Sequence, residues 1–304
     1  KYSTDVLMNV STPASTGFTN FWDNVGTILN RGVELSIKSR NTVGTVQWTT
    51  DLNVARNYNE LVNIGDYTPD AVSGGTNDSR VIVGRPVGSF YLVEHSHVDP
   101  ESGLPVYIDL EGNETYDYNN NIRKYVGDGL PEFIGGFNNT VKYKNWDLSA
   151  LATFSVGAKI FDSSAKRQLG VVSGWNMRTE KLDRWRQPGD EATYPRLTLD
   201  ETTYSLPSGF PWWNTSLFIY DASYLRLRNL TIGYNIPLDA ASTLRNCRVS
   251  INATNLFTLT NFPGLDPEVV RDFENAQDRN MSPNVTYLTP PQERAFTLSV
   301  STNF

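Results

Sequence analysis

The sequence predicts an all-β protein whose strands form a transmembrane antiparallel barrel. Three observations predict it. Apolar and polar residues alternate over several segments, tight and long connections alternate between those segments, and no apolar run approaches the roughly 18 residues that a membrane helix needs. Aromatic residues make up 12% of the 304 residues and Gly, Asn, Thr and Ser are abundant, which favours strands over helices.

The alternation of apolar and polar residues places the individual strands. Trp146–Val156 is the clearest case. One face carries Trp146, Leu148, Ala150, Ala152, Phe154 and Val156, and the other carries Asp147, Ser149, Thr153 and Ser155. Val46–Val54 repeats the pattern, and Val33–Lys38 does so just before it. The remaining predicted strands are Phe137–Tyr143, Ala222–Ile236, Cys247–Leu259 and Arg294–Phe304, with a further strand end at Lys1–Met8. Within Ala222–Ile236 the alternation changes phase, which predicts a β-bulge near Asn229.

The connections between these strands alternate in length. Residues 41–44, 144–145 and 237–246 form short connections, and residues 58–133, 157–221 and 260–293 form long ones. Up-and-down strands with tight turns at one end and long loops at the other are typical of outer-membrane barrels. The tight turns are therefore expected to face the periplasm, the long loops the outside, and the final strand to descend to a periplasmic C-terminus.

Several sequence motifs follow one another in chain order. They are Asn30–Leu35, Gly129–Asn138 followed by Tyr143–Ser149, Asp183–Asp190, Asp221–Tyr234, and Asn255–Thr260 with Gly264–Glu268. Together they resemble the motifs of the SusC/RagA family of TonB-dependent outer-membrane proteins. The resemblance covers nearly the whole chain from Gly32 onward.

The resemblance implies a nutrient transporter in the outer membrane of a Gram-negative bacterium of the Bacteroidota type. Such a protein imports glycan or peptide fragments, is energised by TonB through an N-terminal plug, and is covered by a SusD-like surface lipoprotein; barrel–lid pairs often dimerise. A transporter of this kind has about 22 strands around a plugged lumen. Residues 1–304 are therefore expected to be the C-terminal part of the barrel, without the plug.

Two other functions are weighed against import. A SusC-like barrel acting as a scaffold for surface lipoproteins or for membrane-protein assembly is the first alternative. A β-rich carbohydrate-active enzyme is the second, and it needs two carboxylates at a fixed separation. Asp99, Glu101, Asp109 and Glu111 lie in loop-like sequence that does not fix their distance. The sequence therefore predicts no enzyme, no catalytic residue and no cofactor.

Candidate functional residues fall into three groups. A wide barrel with a polar lumen predicts lumen-facing side chains at Asp51, Asn53, Asp147 and Asn252. Aromatic residues of the outer loops are candidates for stacking on a sugar, although packing within the loops or against the lid protein is the alternative; they are Trp175, Trp185, Tyr204, Trp212 and Trp213. An aromatic-ended amphipathic last strand, Phe296, Leu298, Val300 and Phe304, resembles the signal read by the outer-membrane assembly machinery.

Charge and ligand composition exclude several classes of partner. The net charge is −7 with pI near 5.0, and scattered basic residues argue against nucleic acid. Cys247 is the only cysteine in the sequence, which excludes an internal disulfide. His95 and His97 lack a third ligand, and the carboxylates from Asp109 onward are too loosely spaced for calcium, so no metal is predicted. Arg226 and Arg228 are expected to pair internally.

Overall fold

The computed structural model describes residues 1–72, 79–169, 176–197, 215–239, 244–271 and 280–303. These residues form an all-β protein in which the only helical segments are single turns, such as α1 (Pro69–Val72) and α2 (Ala165–Gln168). Across this described part, every helix is too short and too polar to traverse a bilayer. The predicted fold class is confirmed.

The strands differ widely in length, from two to 18 residues. In chain order, those within the described ranges are β1 Tyr2–Thr4, β2 Leu7–Ser11, β3 Asn20–Asn24, β4 Thr27–Thr42, β5 Val46–Asn63, β6 Ser79–Arg80, β7 Ser89–Leu92, β8 Glu94–Val98, β9 Pro105–Ile108, β10 Glu114–Thr115, β11 Lys124–Gly127, β12 Phe133–Tyr143, β13 Trp146–Val156, β14 Lys159–Asp162, β15 Ile219–Asp221, β16 Tyr224–Asn235, β17 Asn246–Thr260, β18 Val285–Thr286 and β19 Ala295–Asn303.

One large antiparallel sheet organises the molecule, in the order β1-β4-β5-β12-β13-β16-β17-β19. It contains every strand predicted from alternation, and β13 has the predicted bounds. β4 and β5 are longer than their predicted segments, because polar residues continue the pairing beyond the apolar alternation. The predicted bulge lies at Arg228: Leu151 pairs with Asn229 and Ala152 with Leu227, so Arg228 is the extra residue.

The two-residue turn between β12 and β13 shows how a tight connection forms. Tyr143 pairs directly with Trp146, which leaves Lys144 and Asn145 as the turn. Lys144 has φ +51°, a left-handed conformation that tight hairpin turns require because it matches the twist of the flanking strands. The connection between β12 and β13 is therefore a true hairpin turn.

One face of the large sheet is polar. Residues that pair directly across an antiparallel ladder share a face. Asp51 pairs with Asn138, Asp147 with Gly233, and Asn252 with Thr231. Following these pairings across the sheet places all four predicted lumen residues, including Asn53, on this same polar face.

The opposite face of the large sheet is apolar and exposed. Leu148, Ile251 and Leu298 expose 39%, 55% and 70% of their surfaces. Tyr143, Trp146 and Tyr234 form an aromatic row at the end that carries the tight turns, and the Trp146 and Tyr234 ring centroids are 4.7 Å apart. A continuous exposed apolar face bordered by aromatic rings is typical of a surface that contacts lipid.

The last strand, β19, places Phe296, Leu298 and Val300 on the apolar face, since they pair with Ala253, Ile251 and Val249. Phe304 lies outside the described residues. Whether this strand is read by the assembly machinery stays a prediction.

The long connections are packed and contain short strands of their own. Each of the three contributes to a common hydrophobic core: Phe90 and Tyr107 come from the first, Phe161 and Phe218 from the second, and Val285 from the third. β14 and β18 pair in parallel and join the second connection to the third. We call the described parts of residues 64–132, 157–223 and 261–294 the loop cap. The strands within it are too short to give an alternating pattern in the sequence.

Candidate functional site

Ion pairs and hydrogen bonds link the predicted lumen residues to neighbouring strands. Asp147 accepts from the Arg248 guanidinium at 2.5 Å, and Asp51 lies 3.4 Å from the Lys38 ammonium. The Asn252 amide donates to Asn229 at 3.0 Å. The two carboxylates of this group, Asp51 and Asp147, are thus each paired with a basic side chain of another strand.

Arg226 anchors the loop cap to this polar face. Its side chain is only 2% exposed, and its Nη2 donates to Asp266 Oδ1 at 2.5 Å. Its Nη1 lies 3.2 Å from Glu268 Oε2. Burial opposes ionisation of Asp266, but hydrogen bonds from Arg226 and from the backbone N–H groups of Glu268 and Gln292 lower the pKa of its carboxyl below the usual value.

Arg228, the bulge residue, adds a second anchor. Its Nη2 donates to both carboxylate oxygens of Glu268, at 2.6 and 2.7 Å, and its Nη1 donates to Gln292 Oε1 at 2.7 Å. The guanidinium therefore bridges Glu268 and Gln292 through its two Nη atoms, and charge-assisted hydrogen bonds of this kind are stronger than neutral ones. The structure therefore confirms the expectation that both arginines pair internally, and it shows that their partners belong to the third long connection.

A cavity of about 290 Å³ opens beside this anchor, between the second and third long connections. Asp162, buried at the end of β14, accepts from Arg178 at 2.7 Å, and Arg178 Nε donates to Gln168 Oε1 at 2.6 Å. Phe262 and Thr289 also line the cavity. A cavity of this size, with a fixed guanidinium and several hydroxyl and amide groups, can hold one polar unit of a larger ligand.

A wider depression of about 700 Å³ lies on the neighbouring part of the sheet. Its lining includes the predicted lumen residue Asn53 together with Ser36, Arg228 and Glu268. The anchored loop and the polar face therefore meet in one concave region, and we take this region together with the 290 Å³ cavity as the candidate site.

Trp185 is the one predicted aromatic contact that the described residues include. Its indole packs against Gly103, where an added Cβ would come within 2.4 Å of the ring, and its Nε1 donates to Pro100 O at 2.6 Å. It thus joins the first and second long connections. Trp175, Tyr204, Trp212 and Trp213 lie outside the described residues, so contact of these five side chains with a ligand stays a prediction.

His95 and His97 do not act together. His95 is largely buried, its ring meets Tyr107 edge-on at 6.4 Å, and burial lowers the pKa of its imidazole to about 4. His97 Nδ1 lies 3.4 Å from Glu114 instead.

Asp109 accepts from the Asn113 backbone N–H at 2.7 Å within a tight turn. Within the described ranges, no group of three or more His, Cys, Asp or Glu residues is placed to bind a metal.

Sequence reasoning missed Asp162 and Arg178 and did not identify the partners of Arg226. Asp162 and Arg178 stand 16 positions apart, and Arg226 and Asp266 stand 40 apart. Nothing in a single sequence links such positions. The Gly264–Glu268 motif is the available signal, since a short motif rich in turn residues and carboxylates within a long connection indicates a fixed loop.

No family model matches the chain, but curated relatives do. TonB-dependent receptor P3 of Formosa agariphila is 30% identical over 327 residues, which cover 99% of this chain and 31% of that protein. TonB-dependent receptor SusC of Bacteroides thetaiotaomicron is 28% identical over 286 residues, covering 87% of this chain and 26% of its own length. The chain spans about a third of the curated relatives it matches, and they are receptors, in agreement with the prediction of no enzyme.

Solved structures agree on the fold. "Structure of the RagAB peptide transporter" matches with a TM-score of 0.79 and 23% identity, over 98% of this chain and 32% of that one. The open-open state of the RagAB peptide importer matches with a TM-score of 0.78 and 21% identity, over 100% of this chain and 32% of that one.

Proposed function

Because this chain corresponds to a barrel portion of a SusC/RagA-type TonB-dependent receptor, we propose that the full-length protein imports glycan or peptide fragments across the outer membrane. Residues 1–304 supply the C-terminal part of its barrel. A plug encoded upstream couples import to TonB, and a SusD-like lipoprotein covers the outer loops. Barrel and lid pair, and two pairs associate into a dimer.

The observation that carries this proposal is the concave site between the polar face and the loop cap. The apolar face of the same sheet is exposed, as a lipid-facing wall requires, and the polar face carries Asp51, Asn53, Asp147 and Asn252 toward the lumen. The cap is fixed over the outer end of that face by Arg226 and Arg228. A wide lumen closed by packed loops suits a gated ligand site rather than an open pore.

The test is to express the full-length chain with its neighbouring lipoprotein, purify the complex from outer membranes in detergent, and identify bound small molecules by mass spectrometry and calorimetry. Bound oligosaccharide or peptide supports import and names the substrate class. A ligand-free complex that holds several other surface or assembly proteins instead favours the scaffold.

The cavity allows a sharper version of this experiment. Thr289→Trp places a large side chain into the 290 Å³ space, so we expect it to weaken ligand binding at least about tenfold by steric exclusion. Glu111→Trp is the matched control, because it lies on an exposed turn of the first long connection, which contributes no residue to the cavity lining. Equal binding by both variants removes the cavity from the ligand site.

A further inference from the structure

Two arginines stand at the outer end of the apolar face, on neighbouring strands. Arg31 lies on β4 two residues before Val33 and on the same face. Arg56 lies on β5 two residues after Val54 and on the same face. Val33 pairs with Arg56, and Arg31 pairs with Tyr58, so the two guanidinium groups occupy diagonal positions on the same face. Diagonal side chains of this length can reach one common ligand.

Both guanidinium groups are held by aromatic rings. Arg31 Cζ lies 4.4 Å from the centroid of Tyr58, and Arg56 Cζ lies 5.5 Å from that of Phe133. Both side chains are exposed, and the ion pairs among the described residues involve neither. The carboxylate of Glu60 is engaged by the Tyr58 hydroxyl at 2.8 Å. Stacking therefore orients both cations. Arg31 also contacts the Tyr58 hydroxyl, and its remaining N–H groups, like those of Arg56, are available to an anion.

Their position decides which anion is available. Below them the outward face is apolar, with Val33 75% and Leu35 54% exposed, and the long connections begin above. This boundary is where an apolar lipid-facing band gives way to headgroups. Phosphate is the anion that lipids carry at that depth, and guanidinium groups bind it bidentately.

We propose that Arg31 and Arg56 form a clamp for the phosphate group of an outer-leaflet lipid. The clamp rests on the membrane orientation in the proposed function. Arg294 supports it independently, because it is exposed and immediately precedes β19, two residues before Phe296 on the apolar face. Arginines on β4 and β5 and at the start of β19 indicate a band of phosphate contacts around the barrel wall.

The test uses full-length protein, delipidated in detergent and titrated with bisphosphorylated lipid A, with bound lipid counted by native mass spectrometry. Arg31→Gln with Arg56→Gln should weaken binding about tenfold, as expected from losing a charge-assisted hydrogen bond. Arg40→Gln, on the polar face of the same strand, should leave binding unchanged. Equal binding by the double variant and the wild type overturns the clamp, and so does equal loss in Arg40→Gln.

Two further arms separate the possible sources of phosphate and the two proposals. Competition by inorganic phosphate at millimolar concentration would show that the arginines take free phosphate and would overturn the lipid assignment. Substrate binding by the complex is measured on the same variants. If the double variant binds both substrate and lipid as well as the wild type does, only the clamp is ruled out. If the wild type binds lipid but no substrate, only the import function is ruled out.

Discussion

Arg226 and Arg228 lie two positions apart on β16, yet their surroundings differ. Arg226 and Asp266 are 2% and 5% exposed, whereas Arg228 and Glu268 are 26% and 29% exposed. Removing one partner from a buried pair leaves a charge without compensation, which is more destabilising than losing a half-exposed pair.

We therefore predict that Arg226→Met releases the third long connection more than Arg228→Met does. The expected losses of local stability are about 3 kcal/mol and about 1 kcal/mol. Hydrogen–deuterium exchange of peptides covering residues 261–271 measures them, with Arg40→Met as the control on the polar face. If this segment exchanges equally fast in the two arginine variants, Arg226 is not the stronger anchor of the third long connection.

The partners of individual side chains are the part of the structure that the sequence predicts least well. That Arg226 and Arg228 pair internally is predictable, because a charge on a barrel wall needs a partner. Which carboxylates they meet is not, because Asp266 follows Phe262 in a loop whose path depends on the packing of Phe262 in a cluster with Ile160. The same holds for Trp185, whose contact with Gly103 depends on two connections meeting.

At the scale of single elements, β13 shows why the barrel wall is the most predictable part. Each residue faces either lipid or the polar side, so apolar and polar residues alternate from Trp146 to Val156 with Leu151 as the one exception, an apolar residue on the polar face. Ten rises of about 3.4 Å, tilted by about 40°, span about 26 Å along the membrane normal, close to the apolar band of known barrels. The short strands of the loop cap are buried among one another and carry no such pattern.

This two-sidedness predicts opposite effects for adjacent residues of β13. Leu148 lies on the apolar face, 39% exposed, and Ser149 on the polar face, where it contacts Asn138. Leu148→Arg should destabilise the full-length protein by about 2 kcal/mol, because it places a charge against lipid near the aromatic row, where the cost is smaller than at the bilayer midplane. Ser149→Arg should cost less than about 1 kcal/mol, since the charge remains in a hydrated lumen.

The folded fraction against urea, read from heat-modifiable gel mobility in lipid, measures this difference. If Ser149→Arg destabilises as much as Leu148→Arg, the assignment of the two faces is wrong.

Among the described residues of the molecule, the large sheet has two open edges. There β19 pairs only with β17, and β4 pairs with β1 only at Thr27–Leu29. Open edges next to exposed apolar residues invite aggregation in an isolated sheet. The chain spans about a third of its curated relatives, and we expect both edges to be paired by further strands in the full-length barrel.

The alternation of tight turns and long connections fixes which ends of the strands lie together, and the proposed function assigns the loop cap to the outside. Val43, in the turn between β4 and β5, is 83% exposed, and Leu110, in the loop cap, is 59% exposed. In a Cys247→Ser background, a membrane-impermeant thiol reagent applied to intact cells should label Leu110→Cys and leave Val43→Cys unlabelled. Both variants should react after the outer membrane is opened, which controls for the chemical accessibility of each thiol. If only Val43→Cys is labelled in intact cells, the orientation is reversed and the loop cap with its cavity lies in the periplasm. A site that receives ligand from a surface lipoprotein is then ruled out.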